Sequence, residues 1–395
     1  MKNYSLYIVW LGESSFPYGL ASTQRCILIS KSLVEVGVNV TVINRKGVHN
    51  PKSNFNLKRK GKYEGINYLY TSGTPYRSDN FFKRNLLKIV GFINEIKFLI
   101  LIHKKKKLDA AIVSTMQFSS ILLYRIISKI LRFSLILNYV EFNSAVVTRR
   151  SIKNRINDYF YGKFAFSLVD GVLPISNFLA NFLKRRSPKK AFLKVPVLCD
   201  FKRFNGIKKI NKERYFIFCG AAGYIEIIIF ILKAFDLLDT KEKIYLYLVV
   251  NGNSKQLSIL INEIRKINRR NYVKTFSNLS NRSLAELYIN AIGMIIPLRP
   301  TLQDIARFPH KIGEYLASGN PIITTNYGEI KNYFVDNETA LIAEHYDIHE
   351  FADKMSFVIS NLKKAKSIGQ RGKYIGIKNF NYENYGKKIK SFILS

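Results

Sequence analysis

Cysteine, histidine and tryptophan are scarce in this chain of 395 residues, with three Cys, five His and one Trp. Cys26, Cys199 and Cys219 lie far apart without metal-ligand spacing. That excludes a disulfide framework and a thiolate zinc site, and it fits a reducing cytosol. No Asp-x-Asp occurs and no His/carboxylate cluster suggests a metal, so none is expected. The first apolar strand is not followed by G-x-G-x-x-G, which argues against a nicotinamide or flavin dinucleotide. No uncharged apolar run reaches membrane-span length. Met1-Lys2-Asn3-Tyr4 leads straight into an apolar strand, with no secretory cleavage site after it. A soluble or membrane-peripheral protein is expected.

Acidic residues are also few: 27 Asp and Glu face 63 Lys and Arg, a formal net charge of +36. The excess is uneven, +23 over residues 1–200 and +13 over 201–395. Such a surplus fits an anionic membrane surface or nucleic acid, and part of it reflects the Lys-, Ile- and Asn-rich usage of the chain. No nucleic-acid motif accompanies it, and the aromatics do not interleave with the basic clusters, so nucleic acid is the weakest of the partner classes. Hydrophobic residues make up 47% of the chain, as in a globular protein, and the length suffices for two α/β domains.

Apolar runs alternate with amphipathic stretches throughout. Leu6 to Leu11 reads as a buried strand. The loop Gly12 to Gly19 follows, then a helix from about Ser22 to Val36, Gly37, and a second strand from Val38 to Ile43. This is a βαβ unit. A basic linker, Lys58 to Lys62, precedes the strand Ile66 to Tyr70. Between Phe81 and Lys107 lies a helix that is mostly Leu, Ile, Val and Phe. Its narrow polar stripe is Lys88, Gly91, Asn94, Glu95 and Lys97, the side expected to face solvent if the helix packs on a sheet. Lys83 and Arg84 precede it, and Lys104, Lys105, Lys106 and Lys107 close it. A helix so apolar with cations at both ends suits a membrane interface, where each cation adds roughly 1 kcal/mol.

Further strands are expected at Ala110 to Ser114, Leu135 to Tyr139, Asp170 to Ile175, Tyr215 to Cys219, Lys243 to Val250 and Ala340 to Ala343. A helix runs to Leu131, another to Arg186, others over Glu226 to Leu238 and Ser280 to Ala291, and one begins at Asp347. The tail from Phe380 to Leu394 reads as a helix.

The richest stretch runs from Met294 to Gly328. It reads as a buried strand, a polar loop, a helix opened by Pro309 and closed by Gly319, and the strand Pro321 to Thr325. Proline costs nothing at a helix start, and glycine takes the left-handed conformation that ends one. The unit aims a helix N-terminus, flanked by Arg307, His310 and Lys311, at the carboxyl end of a parallel strand, which suits an anion. Glu314, one turn further, is placed to accept hydrogen bonds from sugar hydroxyls. An ordinary strand-loop-helix unit with a solvated basic loop fits the spacing equally well.

The run P-H-K-I-G-E-Y-L-A-S-G-N-P-I-I-T-T, Pro309 to Thr325, resembles the donor-binding signature of glycosyltransferase family 4, the retaining GT-B enzymes. The resemblance extends over nearly the whole chain, including D-G-V-L-P-I-S-N at Asp170 to Asn177 and the linker-like Val195 to Asp200 with Phe204. It implies two Rossmann-like parallel-sheet domains facing a cleft: 1–200, binding the acceptor, and 201–379, binding a nucleotide-sugar. The final helix, within 380–395, packs back on the first. It also implies metal-free transfer to a lipid-linked or glycan acceptor, as in capsule, O-antigen or exopolysaccharide synthesis, on the inner face of the cell membrane.

Carried over residue by residue, the resemblance places Gly19 and Gly220 near the donor diphosphate, with Asp304, Arg307, Pro309, Lys311, Ile312 and Glu314. Ser22, Arg25 and Glu141 fall to the acceptor, and Ser176 is a candidate to orient substrate. Lys311, Arg307 and Glu141 are candidates for a catalytic part, although no base can be chosen. Two departures stand out. Ala306 occupies the position of the first glutamate of the family's Glu-x7-Glu pattern, with Asp304 two residues earlier as a substitute. No lysine occurs between Gly220 and Leu232, where the family often has one. A catalytically reduced subunit of the same fold is therefore the alternative.

Overall fold

Five buried residues, Tyr7–Leu11, form β1, and their run of Ile, Val, Trp and Leu is buried because helices cover both sheet faces. The computed structural model describes residues 6–13, 15–51, 56–146, 148–149, 151–210 and 213–395. Met1 to Tyr4 and Ser14, both part of the sequence reading, lie outside the described residues.

The chain divides into two compact units, 1–198 with 382–395, and 199–381. In the first, β1 leads to α1 (Ala21–Glu35), β2 (Asn39–Asn44), β3 (Lys60–Tyr63), β4 (Ile66–Tyr70) and α2 (Phe81–Lys106). Then come β5 (Ala110–Val113), α3 (Phe118–Leu131), β6 (Ser134–Tyr139), α4 (Ile152–Phe164), β7 (Gly171–Pro174) and α5 (Asn177–Arg186). The strand order is β3-β4-β2-β1-β5-β6-β7. All neighbours run parallel except β3, which is antiparallel to β4. Lys58 to Lys62, expected as a linker, therefore contributes to an exposed edge strand, where lysines discourage further pairing.

The second unit contains β8 (Arg214–Ala221), α6 (Ile225–Asp236), β9 (Ile244–Asn251), α7 (Ser254–Arg265), β10 (Val273–Phe276), α8 (Asn281–Asn290) and β11 (Gly293–Ile296). It continues with α9 (Leu302–Ala306), α10 (Lys311–Ser318), β12 (Ile322–Thr325), α11 (Ile330–Tyr333), β13 (Leu341–Ala343), α12 (Ile348–Ser360) and α13 (Leu362–Phe380). Its sheet, β10-β9-β8-β11-β12-β13, is parallel throughout. The core beneath it joins Phe216, Leu246 and Ile295 of the strands to Ile228, Ile231 and Phe351 of α6 and α12. The last helix, α14 (Gly386–Leu394), packs on α1 of the first unit, where Lys390 Nζ donates to Val36 O at 3.1 Å. Both units are Rossmann-like, and the architecture is that of GT-B.

Helix α2 reverses the expected orientation. Its buried residues are Gly91, Glu95 and Leu99, so the middle of the stripe expected to be solvated faces inward, with Asn94 half-buried, while Lys88 and Lys97 at its ends stay exposed. Gly91 permits this, because a Cβ there would lie 2.0 Å from Arg45 O. Glu95 accepts from Arg45 Nε at 2.7 Å, and Asn94 donates to Thr71 O at 3.0 Å. Phe81, Phe82, Leu86, Ile89, Ile93 and Leu101 are consequently exposed.

Candidate functional site

The carboxyl ends of β8 and β11 lead into most of the residues expected at a donor. Beyond β11 the chain passes Arg299 and enters α9, whose N-cap Thr301 accepts from Asp304 N at 3.3 Å. Asp304 is fully buried. Arg299 donates to its Oδ2 from N at 3.1 Å and from Nε at 2.8 Å, and Arg307 Nη2 donates to its Oδ1 at 2.7 Å. Burial pushes this carboxyl up, but the Arg299 bonds and the Arg307 charge outweigh burial and hold it below the usual range. Asp304 therefore acts as an internal counter-ion that fixes two arginines.

Both arginines then reach the turn after β8. Arg307 Nη1 donates to Tyr224 Oη at 2.8 Å, with its guanidinium 4.9 Å from the Tyr224 ring centre. Arg299 Nη1 donates to Glu226 Oε2 at 3.0 Å. The turn that lacks a lysine of its own thus has cations delivered from the β11–α10 segment. Gly220 is the last residue but one of β8, and a Cβ there would lie 2.7 Å from the Phe218 ring, so the strand's own aromatic covers this position.

Pro309 O accepts from Ile312 N at 3.1 Å and His310 is the N-cap of α10; Gly319 closes the helix in the left-handed region at φ 72°. Ile312 is fully buried. Tyr315 Oη accepts from Cys219 N at 2.8 Å, which ties α10 to the end of β8. Glu314 is only 6% exposed. Lys311 Nζ donates to Glu314 Oε2 at 2.8 Å, and Arg203 Nη1 lies 3.7 Å from Glu314 Oε1. Burial pushes the Glu314 carboxyl up, yet Lys311, then Arg203 and His310, hold it below the usual range. Burial pulls the Lys311 ammonium down, while Glu314 raises it to a net position above the ordinary lysine value. Both groups are charged at neutral pH.

In the first unit, Gly19 lies in the loop after β1, where a Cβ would meet Thr23 Oγ1 at 2.1 Å. Ser22 is exposed in the first turn of α1, and Glu141 is half-buried just past β6. Arg25, expected at an acceptor, is anchored inside the unit. It is buried and donates to Asn138 Oδ1 at 2.8 Å, Pro196 O at 2.7 Å and Val195 O at 2.8 Å. That set holds the last residues of the unit against β6. Ser176 is fully buried as the N-cap of α5, accepting from Leu179 N at 3.2 Å, and is not presented to a substrate. Lys83, Lys104, Lys105, Lys106 and Lys107 are exposed and Arg84 is half-buried.

Gly220, Asp304, Arg307, Pro309, Lys311, Ile312 and Glu314 all belong to the second unit; Gly19, Ser22, Arg25 and Glu141 belong to the first. Arg299, Arg203 and Tyr224 were missed in the sequence. A cation just past a buried strand with an acid five residues on was a usable sign for Arg299; nothing local marks Arg203. Among the described residues, no three His, Cys, Asp or Glu side chains are grouped so as to hold a metal.

This fold and this strand-end cluster define a GT-B-type α/β protein. Residues 200–374 match the family model of the glycosyl transferases group 1. An uncharacterized glycosyltransferase of Methanocaldococcus jannaschii is 22% identical over 245 residues, 61% of this chain. The match spans 63% of that curated relative, under two thirds of its length. Among solved structures, sucrose-phosphate synthase of Thermosynechococcus elongatus is similar with a TM-score of 0.75 at 14% identity, covering 98% of each chain. Anabaena HepE, solved in complex with UDP and glucose, is similar with a TM-score of 0.69 at 13% identity, over 98% of this chain and 99% of that one. At such identities the structural likenesses speak to the fold alone. The family match and the curated relative support a glycosyltransferase.

Proposed function

We propose that this chain moves a hexose from a nucleotide-sugar to an acceptor hydroxyl with retention and without a metal, in the synthesis of a lipid-linked or surface glycan such as capsule, O-antigen or exopolysaccharide, as a retaining enzyme of glycosyltransferase family 4. The observation that carries the reading is the Lys311–Glu314–Arg203 cluster at the head of α10. Departure of a nucleoside diphosphate builds negative charge, and fixed cations with helix N–H groups stabilise it without reorganisation. Lys311, Arg307 and Arg299 supply the cations, and α10 supplies the helix terminus. The charged, nearly buried Glu314 accepts hydrogen bonds from ribose hydroxyls. A relative in fold, Anabaena HepE, was solved with UDP and glucose, which supports a nucleotide-sugar donor.

The site of action is an anionic membrane surface, taken as the inner face of the cell membrane. Strand connections from β4 to β5, β5 to β6 and β6 to β7 run the same way across the sheet, so right-handed crossovers put α2, α3 and α4 on one face. That face exposes Phe82 at 81%, Ile130 at 72% and Ile152 at 76%, with Leu86, Ile126 and Tyr159 among them. Lys83, Lys104 to Lys107, Lys129, Arg132, Lys153 and Lys163 are exposed on the same helices or at their ends. Apolar side chains ringed by cations match an anionic leaflet. No described helix is long and apolar enough to cross a membrane.

A second reading, a non-catalytic subunit of this fold, is favoured by Ala306, which is buried at 1% exposure where the family pattern carries a glutamate. One experiment separates the two. A panel of nucleotide-sugars is offered with extracted membrane lipid as acceptor, and nucleoside diphosphate release and binding are measured for wild type and Glu314→Ala. Turnover lost in the variant supports the enzyme; binding without turnover for every donor supports the subunit. If wild type binds no nucleotide, both fail.

A further inference from the structure

The first unit has a cavity of its own. It measures about 470 Å³ and is lined by Glu13, Arg45, Lys46, Lys88, Phe92 and Tyr124, among others. These follow the carboxyl ends of β1 and β2 or project from α2 and α3. Neighbours of β1 lie on both sides, β2 reached through α1 and β5 reached from the opposite direction, so the cavity sits where the strand order reverses. Open parallel sheets take ligands at such a point. A smaller hollow of about 230 Å³ adjoins it, sharing Lys46 and Lys88 and adding Arg77 and Arg84.

The polar groups here are built rather than scattered. Arg45 is fixed by Glu95, whose Oε2 accepts from Nε at 2.7 Å and whose Oε1 accepts from Nη2 at 3.0 Å. Nη2 also donates to Tyr124 Oη at 2.6 Å, and the Tyr124 hydroxyl in turn donates to Glu95 Oε1 at 2.5 Å. The Phe92 ring lies 5.2 Å from the guanidinium. Arg45 Nη1 makes no hydrogen bond among the described residues, so a rigid arginine keeps one donor edge for the cavity. Lys46, Arg77, Arg84 and Lys88 have no carboxylate partner among the described residues; Lys88 Nζ donates to Asn85 Oδ1 at 2.9 Å. Glu13 is the one carboxylate lining either hollow among the described residues. It accepts from Ser15 N at 2.9 Å and Thr23 Oγ1 at 3.2 Å, which holds its position.

We propose that the paired hollows bind the phosphate of a phosphorylated acceptor, the four cations without a carboxylate partner and the Arg45 edge taking the phosphate and Glu13 taking a hydroxyl. The word acceptor rests on the transferase reading above; the phosphate site does not. Several cations lining one hollow, of which Arg45 is held in place, cost electrostatic energy until an anion enters, and a phosphate ester brings two charges and three acceptor oxygens. Ile89 and Phe92 add an apolar wall, and Ile89 also belongs to the exposed face of α2. The phosphate is therefore borne either by a soluble sugar or by a lipid standing at the membrane face.

The test uses the full chain and the double variant Lys46→Glu/Lys88→Glu, both positions exposed and in the other unit from the Glu314 cluster, with melting temperature as the folding control. Three probes are titrated: glucose 6-phosphate, phosphatidylcholine vesicles containing phosphatidic acid against vesicles of equal charge containing phosphatidylserine, and UDP. The expected result is binding of glucose 6-phosphate, or preference for phosphatidic acid over phosphatidylserine, weakened at least tenfold in the variant while UDP binding is unchanged. The first pattern identifies a soluble ester and the second a lipid phosphate. Binding of neither phosphate probe by wild type, equal binding by the variant, or equal loss on both anionic vesicles with no binding of glucose 6-phosphate overturns the proposal. If UDP fails to bind while the phosphate response depends on Lys46 and Lys88, the donor reading falls and the phosphate site stands.

Discussion

Lys311 Nζ and Glu314 Oε2 meet at 2.8 Å within the first turn of α10, and Arg203 Nη1 stands 3.7 Å from the other carboxylate oxygen. The carboxylate is nearly buried, so the pair is a fixed charge arrangement rather than a solvated i,i+3 contact. Each partner holds the other in place.

Replacing either partner should disable the donor site by different routes. Glu314→Gln keeps the shape but removes the charge that positions Lys311, and nucleoside diphosphate affinity should fall at least tenfold. Lys311→Ala should cost more in turnover than in binding, about 10²–10³ in kcat, the usual loss on removing one preorganised charge-stabilising donor. Calorimetry with a nucleoside diphosphate and a coupled transfer assay measure the two effects. Unchanged affinity in both variants rejects the cluster as the diphosphate and ribose site.

The same pair sets a pH window. Glu314 is held below the usual carboxylate range, so its contribution to stability is present above the unfolded value of about 4.3 and is lost as pH falls through the lower folded value. Lys311 is raised, so its contribution is present below about 10.4 and is lost as pH rises through the higher folded value. Nucleotide affinity should therefore be flat between about pH 6 and pH 9 on the protein's side. A midpoint near neutrality that persists in Glu314→Gln assigns the control to some other group.

The strands were legible because parallel sheets covered on both faces leave continuous apolar runs, such as Tyr7–Leu11 and Ile244–Asn251. The α10 boundary was legible from Pro309 and Gly319. Helix α7 was not, although Asn253 and Gln256 form a capping box that marks its start. The orientation of α2 was not legible either, since an apolar majority and a narrow polar stripe ordinarily mean the reverse of what Gly91, Glu95 and Leu99 do. At the site, Glu314 and Lys311 were visible because they share one helix. Arg203 was not visible, and neither were the partners of Arg25, because the residues they meet lie far along the chain and periodicity carries no information about them.

Arg25 should behave as a structural residue. Arg25→Met removes three hydrogen bonds and leaves Asn138 and two backbone carbonyls of residues 195 and 196 to find other partners. A loss of about 3 kcal/mol of stability is expected, the scale of buried polar groups left unsatisfied. Thermal unfolding measures it, and nucleoside diphosphate affinity of the folded variant should be unchanged. A normal melting temperature with a raised acceptor KM returns Arg25 to the acceptor.

The outward apolar face of α2 makes a separate prediction about the membrane. Phe82 and Leu86 are exposed on this helix, and Lys104 to Lys107 close it. Apolar insertion and charge attraction act additively but respond differently to salt, because only the second is screened. In co-sedimentation with vesicles containing an anionic lipid, Phe82→Asp/Leu86→Asp should weaken binding at least tenfold, leaving a remainder that falls steeply as salt is raised. Reversing the four lysines to glutamate should weaken it at least as much and remove most of the salt dependence. Neither change should alter nucleoside diphosphate affinity, since α2 and the Glu314 cluster belong to different units. If both variants bind vesicles as wild type does, the inverted helix is covered by something other than lipid.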